Sequence, residues 1–157
     1  MARTGARELV DDTARAIIEQ LQEDGRRPYA TIGQAVGLSE AAVRQRVQKL
    51  VDHGVMQVVA VTDPMQLGFA RQAMIALSVT GDVEEVAETL SKLDEVDYLV
   101  ITAGSFDILA EVVVADDEHL LQLVNRRIRT IPGVTRTESF LYLRLMKQTY
   151  NWGAKES

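Results

Sequence analysis

An α+β chain in two parts is predicted, an N-terminal winged helix-turn-helix followed by a C-terminal ferredoxin-like βαββαβ domain. Three observations lead there. Apolar residues recur at helical spacing up to about His53, the period changes to two from about Gln72 onward, and Asp63-Pro64 with Leu67-Gly68 punctuates the change. The boundaries that follow are 1–61 for the helical part, 62–69 for a linker, 70–147 for the α+β part and 148–157 for a C-terminal tail.

In the helical part, Asp11 or Asp12 caps a first helix running roughly from Thr13 to Glu23, with Ala14, Ile17, Ile18 and Leu21 on one stripe and Gly25 as its stop. Thr31 is expected to cap a short second helix through Ile32, Ala35 and Val36, and Gly37 supplies the turn. Ser39 caps a third helix whose Val43, Val47 and Leu50 form a core stripe and which His53-Gly54 ends. The β-branched run Val55 to Thr62 reads as a strand and supplies the wing.

The second part alternates. Gln72 to Val79 is a strand, Val83 to Leu93 a helix, and Val96–Thr102 and Phe106–Ala115 an antiparallel hairpin joined by Ala103-Gly104-Ser105. Asp116-Asp117 starts a second helix on Leu120, Leu121, Val124, Ile128 and Ile131, stopped by Pro132-Gly133, and a last strand runs from about Val134 to Lys147. This order is the split βαβ arrangement. Both faces of the sheet look apolar, while two helices cover one; a second copy of the sheet, in an isologous dimer, is the usual cover for the other.

Composition narrows the function. The 157 residues include no cysteine, which removes disulfide scaffolds, thiolate metal sites and cysteine nucleophiles and fits a reducing compartment. Neither a secretory signal nor an apolar run near the roughly 18 residues of a membrane span is present, so a cytoplasmic protein without membrane contact is expected. Net charge is −6, yet residues 1–62 carry eight basic and eight acidic groups against nine and fifteen in 63–157. The acidity sits wholly in the second part, leaving the first able to face an anionic polymer.

The third helix points to double-stranded DNA. Opposite its apolar stripe it presents Ala41, Arg44, Gln45 and Gln48, flanked by Arg46 and Lys49, with no acid after Glu40. Small, amide and guanidinium side chains are those that read base edges in a major groove, although a three-helix cluster packing on the sheet is an equally simple origin for Arg44 and Gln45. Arg46 is either a phosphate contact or structural. Arg26 and Arg27 are either phosphate contacts or a solvated pair, and Tyr29 either meets the DNA backbone or closes the start of the second helix.

Catalysis finds little support. His53 and His119 lie in different predicted parts, and the acidic pairs Glu84-Glu85 and Asp116-Asp117 fall at helix starts, where the dipole favours negative charge. There is no metal-ligand spacing, phosphate loop or serine elbow. No cofactor or metal is expected.

These residues resemble a known family. Asp12 to Leu21, Asp24-Gly25-Arg26, Ile32 to Ala35, Val36-Gly37-Leu38-Ser39, Val43 to Leu50, Gly54-Val55, Asp63-Pro64 and Leu67-Gly68 are similar to the DNA-binding half of Lrp/AsnC (leucine-responsive, feast/famine) transcription regulators. Gly104-Ser105-Phe106-Asp107, Ile131-Pro132-Gly133-Val134, Thr137 and Ser139 resemble that family's effector-binding and oligomerisation domain. The resemblance implies a sequence-specific regulator whose recognition element, Ser39 to Lys49 (Ser39, Glu40, Ala41, Arg44, Gln45, Arg46, Gln48, Lys49), works with Arg26 ahead of it. It also implies dimers assembling further, often to octamers, with an amino acid or related small molecule between them.

For that effector, the hairpin Thr102, Ala103, Gly104, Ser105, Phe106 and Asp107 offers backbone amides to a carboxylate and Asp107 to an ammonium, while Thr137 and Ser139 add hydroxyls. Glycine three residues before aspartate, Gly-x-x-Asp, is also an ordinary hairpin with an Asx-type turn. Two alternatives stand beside the regulator: a nucleoid-type protein that wraps DNA without ligand response, and a ferredoxin-like enzyme or regulatory subunit. The tail residues Tyr150 and Trp152 either cap a neighbouring subunit or are disordered.

Overall fold

A computed structural model describes residues 9–148, so the tail aromatics Tyr150 and Trp152 lie outside the described residues. Two compact units divide the chain: of the described residues, the first takes 9–60 with Lys147 and Gln148, and the second takes Val61–Met146.

Among the described residues, three helices build the first unit: α1 (Asp12–Glu23), α2 (Tyr29–Val36) and α3 (Glu40–Asp52). Asp11 caps α1, its carboxylate accepting from the Ala14 amide at 2.7 Å. Ser39 caps α3 in the same way, accepting from Ala42 N at 3.2 Å. The second helix begins earlier than the Thr31 cap would place it. Pro28, held at φ −60°, presents a carbonyl that accepts from the amides of Thr31 and Ile32, so the helix starts at Tyr29 without a side-chain cap.

The turn into α3 depends on two glycines. Gly37 adopts φ +72°, in the left-handed region. A Cβ on Gly33 would lie 2.4 Å from the Leu38 carbonyl oxygen, so only a bare backbone lets α2 approach the turn this closely. Ile17, Leu21, Ile32, Val43 and Val47 fill the core between the helices, with Tyr29, Val36, Leu38 and Met56 packed against it. Burying each such aliphatic side chain stabilises by about 1.5–3 kcal/mol.

Val55–Thr62 differs from the sequence expectation. It is not a strand, and Val58, Val59 and Val61 are 54–65% exposed, so no wing is formed among the described residues. A β-branched run becomes a strand only when a second strand completes its ladder, and among the described residues none pairs with it.

The second unit opens with a short 3₁₀ turn at Pro64–Leu67, capped by Asp63, and continues as β1 (Arg71–Val79), α4 (Val83–Leu90), β2 (Val96–Ile101) and β3 (Ile108–Val114). Next come α5 (Asp117–Gln122), a π-helical turn (Leu123–Ile128) and β4 (Val134–Leu141). The strands form one antiparallel sheet in the order β2-β3-β1-β4, which is the predicted βαββαβ topology. Beyond Leu141 the last strand does not continue to Lys147. Its partner β1 begins at Arg71, and the Tyr142 amide makes its bond to the Gln72 carbonyl there.

Alternation settles which face is covered. Ala73, Ile75 and Leu77 of β1 and Ile108, Ala110, Val112 and Val114 of β3 are buried, together with Val86, Leu90, Leu123 and Ile128 from the helices and Ile131 just beyond them. The opposite face carries Met74, Leu109 and Val113, half-buried, and the largely exposed Tyr98 and Phe140. The predicted stripe of the last helix changes at its wide turn. The Arg129 amide bonds the Val124 carbonyl, five residues back, and this unwinding brings Leu123 and Ile128 to one face, whereas in an α-helix residues five apart diverge by about 140°.

Candidate nucleic-acid interface and hairpin site

The outward side of α3 gathers most of the predicted reading residues. Ser39, Glu40, Ala41, Arg44, Gln45, Gln48 and Lys49 are exposed, while Val43, Val47 and Leu50 point into the core. Arg44 is held on two sides. Its Nη2 donates to Glu40 Oε1 at 2.6 Å, and its guanidinium carbon stands 5.4 Å from the centre of the Tyr29 ring. Gln48 donates to Asp52 Oδ1 at 2.7 Å, so the side of α3 expected to carry no acid after Glu40 does carry one, in the helix's last turn. Gln45 and Lys49 have no side-chain partner among the described residues, and neither does the guanidinium of Arg26, so these groups are free to meet a nucleic acid.

Two arginines are otherwise engaged. Arg27 donates to Gln20 Oε1 at 2.6 Å and pairs with Glu23 at 3.0 Å. Arg46 is only partly exposed and leaves the reading side. Its Nη1 lies 3.0 and 2.8 Å from the two carboxylate oxygens of Asp11. That hydrogen bond, with the Ala14 amide second, holds the Asp11 carboxyl below its ordinary range. An open cleft of ≈ 290 Å³ lies beside this pair, lined by Leu9, Ala14, Ala42, Gln45, Lys49 and Leu50 among others.

In the second unit the hairpin residues come together around the end of β1. The Thr102 hydroxyl donates to the Phe106 carbonyl at 2.6 Å, and the Thr102 amide to the Asp107 carbonyl at 2.8 Å. Ala103, Gly104 and Ser105 form an exposed tip. Asp107 is bound to β1 twice, its amide donating to the Leu77 carbonyl and its Oδ2 accepting from the Val79 amide at 2.7 Å. The carboxylate thus secures β1 where its register with β4 slips, between Ser78 and Val79.

Thr137 and Ser139 sit on β4 opposite Leu77 and Ile75, across β1 from the hairpin, so their hydroxyls and the tip are not gathered at one point within the chain. Arg136, which sequence reading missed, is closer. Its guanidinium carbon lies 5.2 Å from the Phe106 ring centre and its Nη2 bonds Glu138 at 2.8 Å. No periodicity signals such a contact, because it joins a hairpin to a strand about 30 residues away.

Groups with catalytic potential are tied up structurally. Glu95 accepts from Arg127 and lies 3.2 Å from His119 Nε2; burial pushes its carboxyl up, but its backbone hydrogen bond, His119 and Arg127 outweigh that and hold it low. The His53 ring meets the Lys49 carbonyl at the end of α3. Among the described residues no group of acids and histidines is placed to hold a metal ion, and no helix is long and apolar enough to cross a membrane.

Residues 10–51 match the AsnC-type helix-turn-helix domain, and residues 69–155 match a C-terminal dimeric alpha+beta barrel domain of AsnC-type regulators. The chain belongs to the Lrp/AsnC family. An uncharacterised HTH-type transcriptional regulator of Pyrococcus furiosus is 35% identical to it over 90% of this chain and 97% of the relative. E. coli AsnC superposes with a TM-score of 0.78 at 25% identity, covering 90% of this chain and 97% of that one. A transcriptional regulator of Neisseria meningitidis, solved as an L-Met complex, superposes at 0.77 with 27% identity, over 89% and 94%. This Lrp/AsnC protein is therefore a transcriptional regulator with a DNA-binding helix-turn-helix. Its relatives are regulators rather than enzymes, and the enzyme alternative falls with that finding.

Proposed function

We propose that this regulator binds operator DNA sequence-specifically through its first unit and responds to an amino acid or related small metabolite through its second. The functional boundaries of this reading are 1–61 for the DNA-binding head, 62–69 for the linker and 70–147 for the effector and oligomerisation domain. The observation that carries it is the exposed side of α3, where Arg44, held by Glu40 and Tyr29, stands beside Gln45, Gln48 and Lys49. A guanidinium fixed before DNA arrives loses less freedom on binding a base edge. Ser39, Glu40 and Ala41 form the entry turn of this recognition helix, and Arg26 meets phosphate.

The half-covered sheet, with Tyr98 and Phe140 on its open face, pairs with a second copy, and the dimeric description of the matching domain supports this. Two heads on a dyad read a pseudo-palindrome with half-sites about one helical turn, or a multiple, apart. Further assembly to an octamer places the hairpins 102–107 with Thr137 and Ser139 at contacts between dimers, where residues that one chain keeps apart complete an effector site. The L-Met complex of the Neisseria regulator supports an amino acid as the ligand class.

A second reading has its own observation. Asp107, the acceptor expected for an ammonium, already receives the Val79 amide, which favours a DNA-wrapping protein without ligand response. One experiment separates the two: binding to the protein's own upstream DNA and to random DNA of equal length over a salt series, with and without each amino acid, with mass in solution recorded alongside. Selective binding shifted by one amino acid supports the proposed function. Selectivity near one and no shift supports wrapping, and absence of binding at low salt overturns both.

A further inference from the structure

We infer that Arg46 is a positioning residue that fixes the recognition helix against α1 through Asp11, rather than a DNA contact; this rests on the reading of α3 as the recognition helix. Angle is the first argument. At about 100° per residue, Ala41, Arg44, Gln45 and Gln48 fall within an arc of about 100°, and Arg46 lies about 150° from its middle, at the edge of the Val43–Val47–Leu50 stripe. A side chain that enters the groove with Arg44 and Gln48 cannot start from there.

Partner geometry is the second. Arg46 Nη1 reaches both oxygens of Asp11, across 35 residues of sequence, and Asp11 is itself fixed as the cap of α1 by the Ala14 amide at 2.7 Å. The guanidinium is thereby joined to a backbone element, not to a floating side chain. Third, the pair lines an open cleft together with Ala14 of α1 and Ala42 and Leu50 of α3, so the ion pair bridges the two helices at the edge of their contact. The angle of α3 to α1, and with it the aim of Arg44 and Gln48, depends on this bridge.

Asp11→Asn gives the two possibilities opposite signs. Asparagine still caps a helix, while one negative charge is removed and Arg46 is released. If Arg46 were a phosphate contact, that release would strengthen binding to any DNA. A positioning role predicts that Asp11→Asn weakens binding to the upstream DNA, about fivefold at most for an exposed pair, and leaves binding to random DNA unchanged or stronger.

The experiment measures upstream and random DNA binding over a salt series for the full-length protein and for Asp11→Asn, Arg46→Gln and the double variant, with thermal unfolding of each. Expected are losses on the upstream DNA that do not add in the double variant, a salt slope equal to that of the unsubstituted protein, and non-additive shifts in melting temperature. A slope lower by about 0.9 for Arg46→Gln, tighter upstream binding by Asp11→Asn, unchanged upstream binding in both single variants, or additive melting shifts each overturn the inference. Failure of the unsubstituted protein to prefer its upstream DNA overturns the recognition reading instead, and the melting cycle still decides whether Asp11 and Arg46 are coupled.

Discussion

Arg44 on α3 lies over the ring of Tyr29 on α2, joining the two helices of the motif at a distance of 5.4 Å between guanidinium carbon and ring centre. Helix α3 thus presents this cation already oriented, with Glu40 one turn earlier holding the same group. Arg44→Ala is expected to cost about 1–3 kcal/mol on the upstream DNA and much less on scrambled sequence. Equal losses on both would remove Arg44 from base reading. Glu40→Gln is expected to act the other way, tightening binding to all sequences by withdrawing a negative charge near the phosphates.

Arg26 and Arg27 are neighbours with different fates. The Arg26 guanidinium has no partner among the described residues, while Arg27 is bound to Gln20 and Glu23. Arg26→Ala is expected to weaken binding to every sequence and to lower the salt slope by about 0.9. Arg27→Ala is expected to leave the slope as it is and to show only in thermal unfolding of the protein.

Gly33→Ala places a methyl group where the Leu38 carbonyl stands, 2.4 Å away. Backbone cannot yield as a flexible side chain does, so a destabilisation of about 1–3 kcal/mol is expected, as for other overpacked sites. Chemical unfolding followed by helical circular dichroism measures it. An unchanged midpoint would show that the turn can open without penalty.

Asp107→Ala removes the acceptor of the Val79 amide and is expected to cost about 1–3 kcal/mol, with Asp107→Asn milder because a carbonyl oxygen remains. The measurement that sorts this from ligand binding is unfolding in the absence of any amino acid. If Asp107→Ala is as stable as the unsubstituted protein and loses only the amino-acid response, the carboxylate belongs to the ligand.

Three carboxyls are held low in the folded state: Asp11 by Arg46, Asp117 by Arg71, and Glu95, where bonding outweighs burial. A group whose folded value is depressed contributes stability that is complete above its ordinary value, 3.8 for the aspartates and 4.5 for the glutamate, and that is lost as pH falls through the folded value. These groups therefore leave stability level between pH 8 and about pH 6 and withdraw it progressively below about pH 4. Melting temperatures across that range test this; in Asp11→Asn the acid loss should be smaller.

Local chemistry explains which features could be read ahead of the structure. The Asp11 and Ser39 caps, the left-handed Gly37 and the Val43–Val47–Leu50 stripe are each fixed within a few residues, as is the strict alternation from Ile108 to Val114. The Arg46–Asp11 pair spans 35 positions, and the bond from the Val79 amide to Asp107 spans 28, so neither side chain's duty is visible until the elements pack. Val55–Thr62 reads as a strand because propensity describes one segment, whereas a strand is a relation between two. Leu123 escaped the expected stripe because that stripe assumed an unbroken α-helical period.

The wide turn also marks where this chain's length is negotiable. Deleting one residue between Leu123 and Ile128 turns their five-residue separation into four, and an ordinary α-helix places residues four apart on one face as well. Both core anchors are therefore expected to stay on one face after such a deletion. What shifts is the outer register of Asn125, Arg126 and Arg127, while the interior keeps its two anchors.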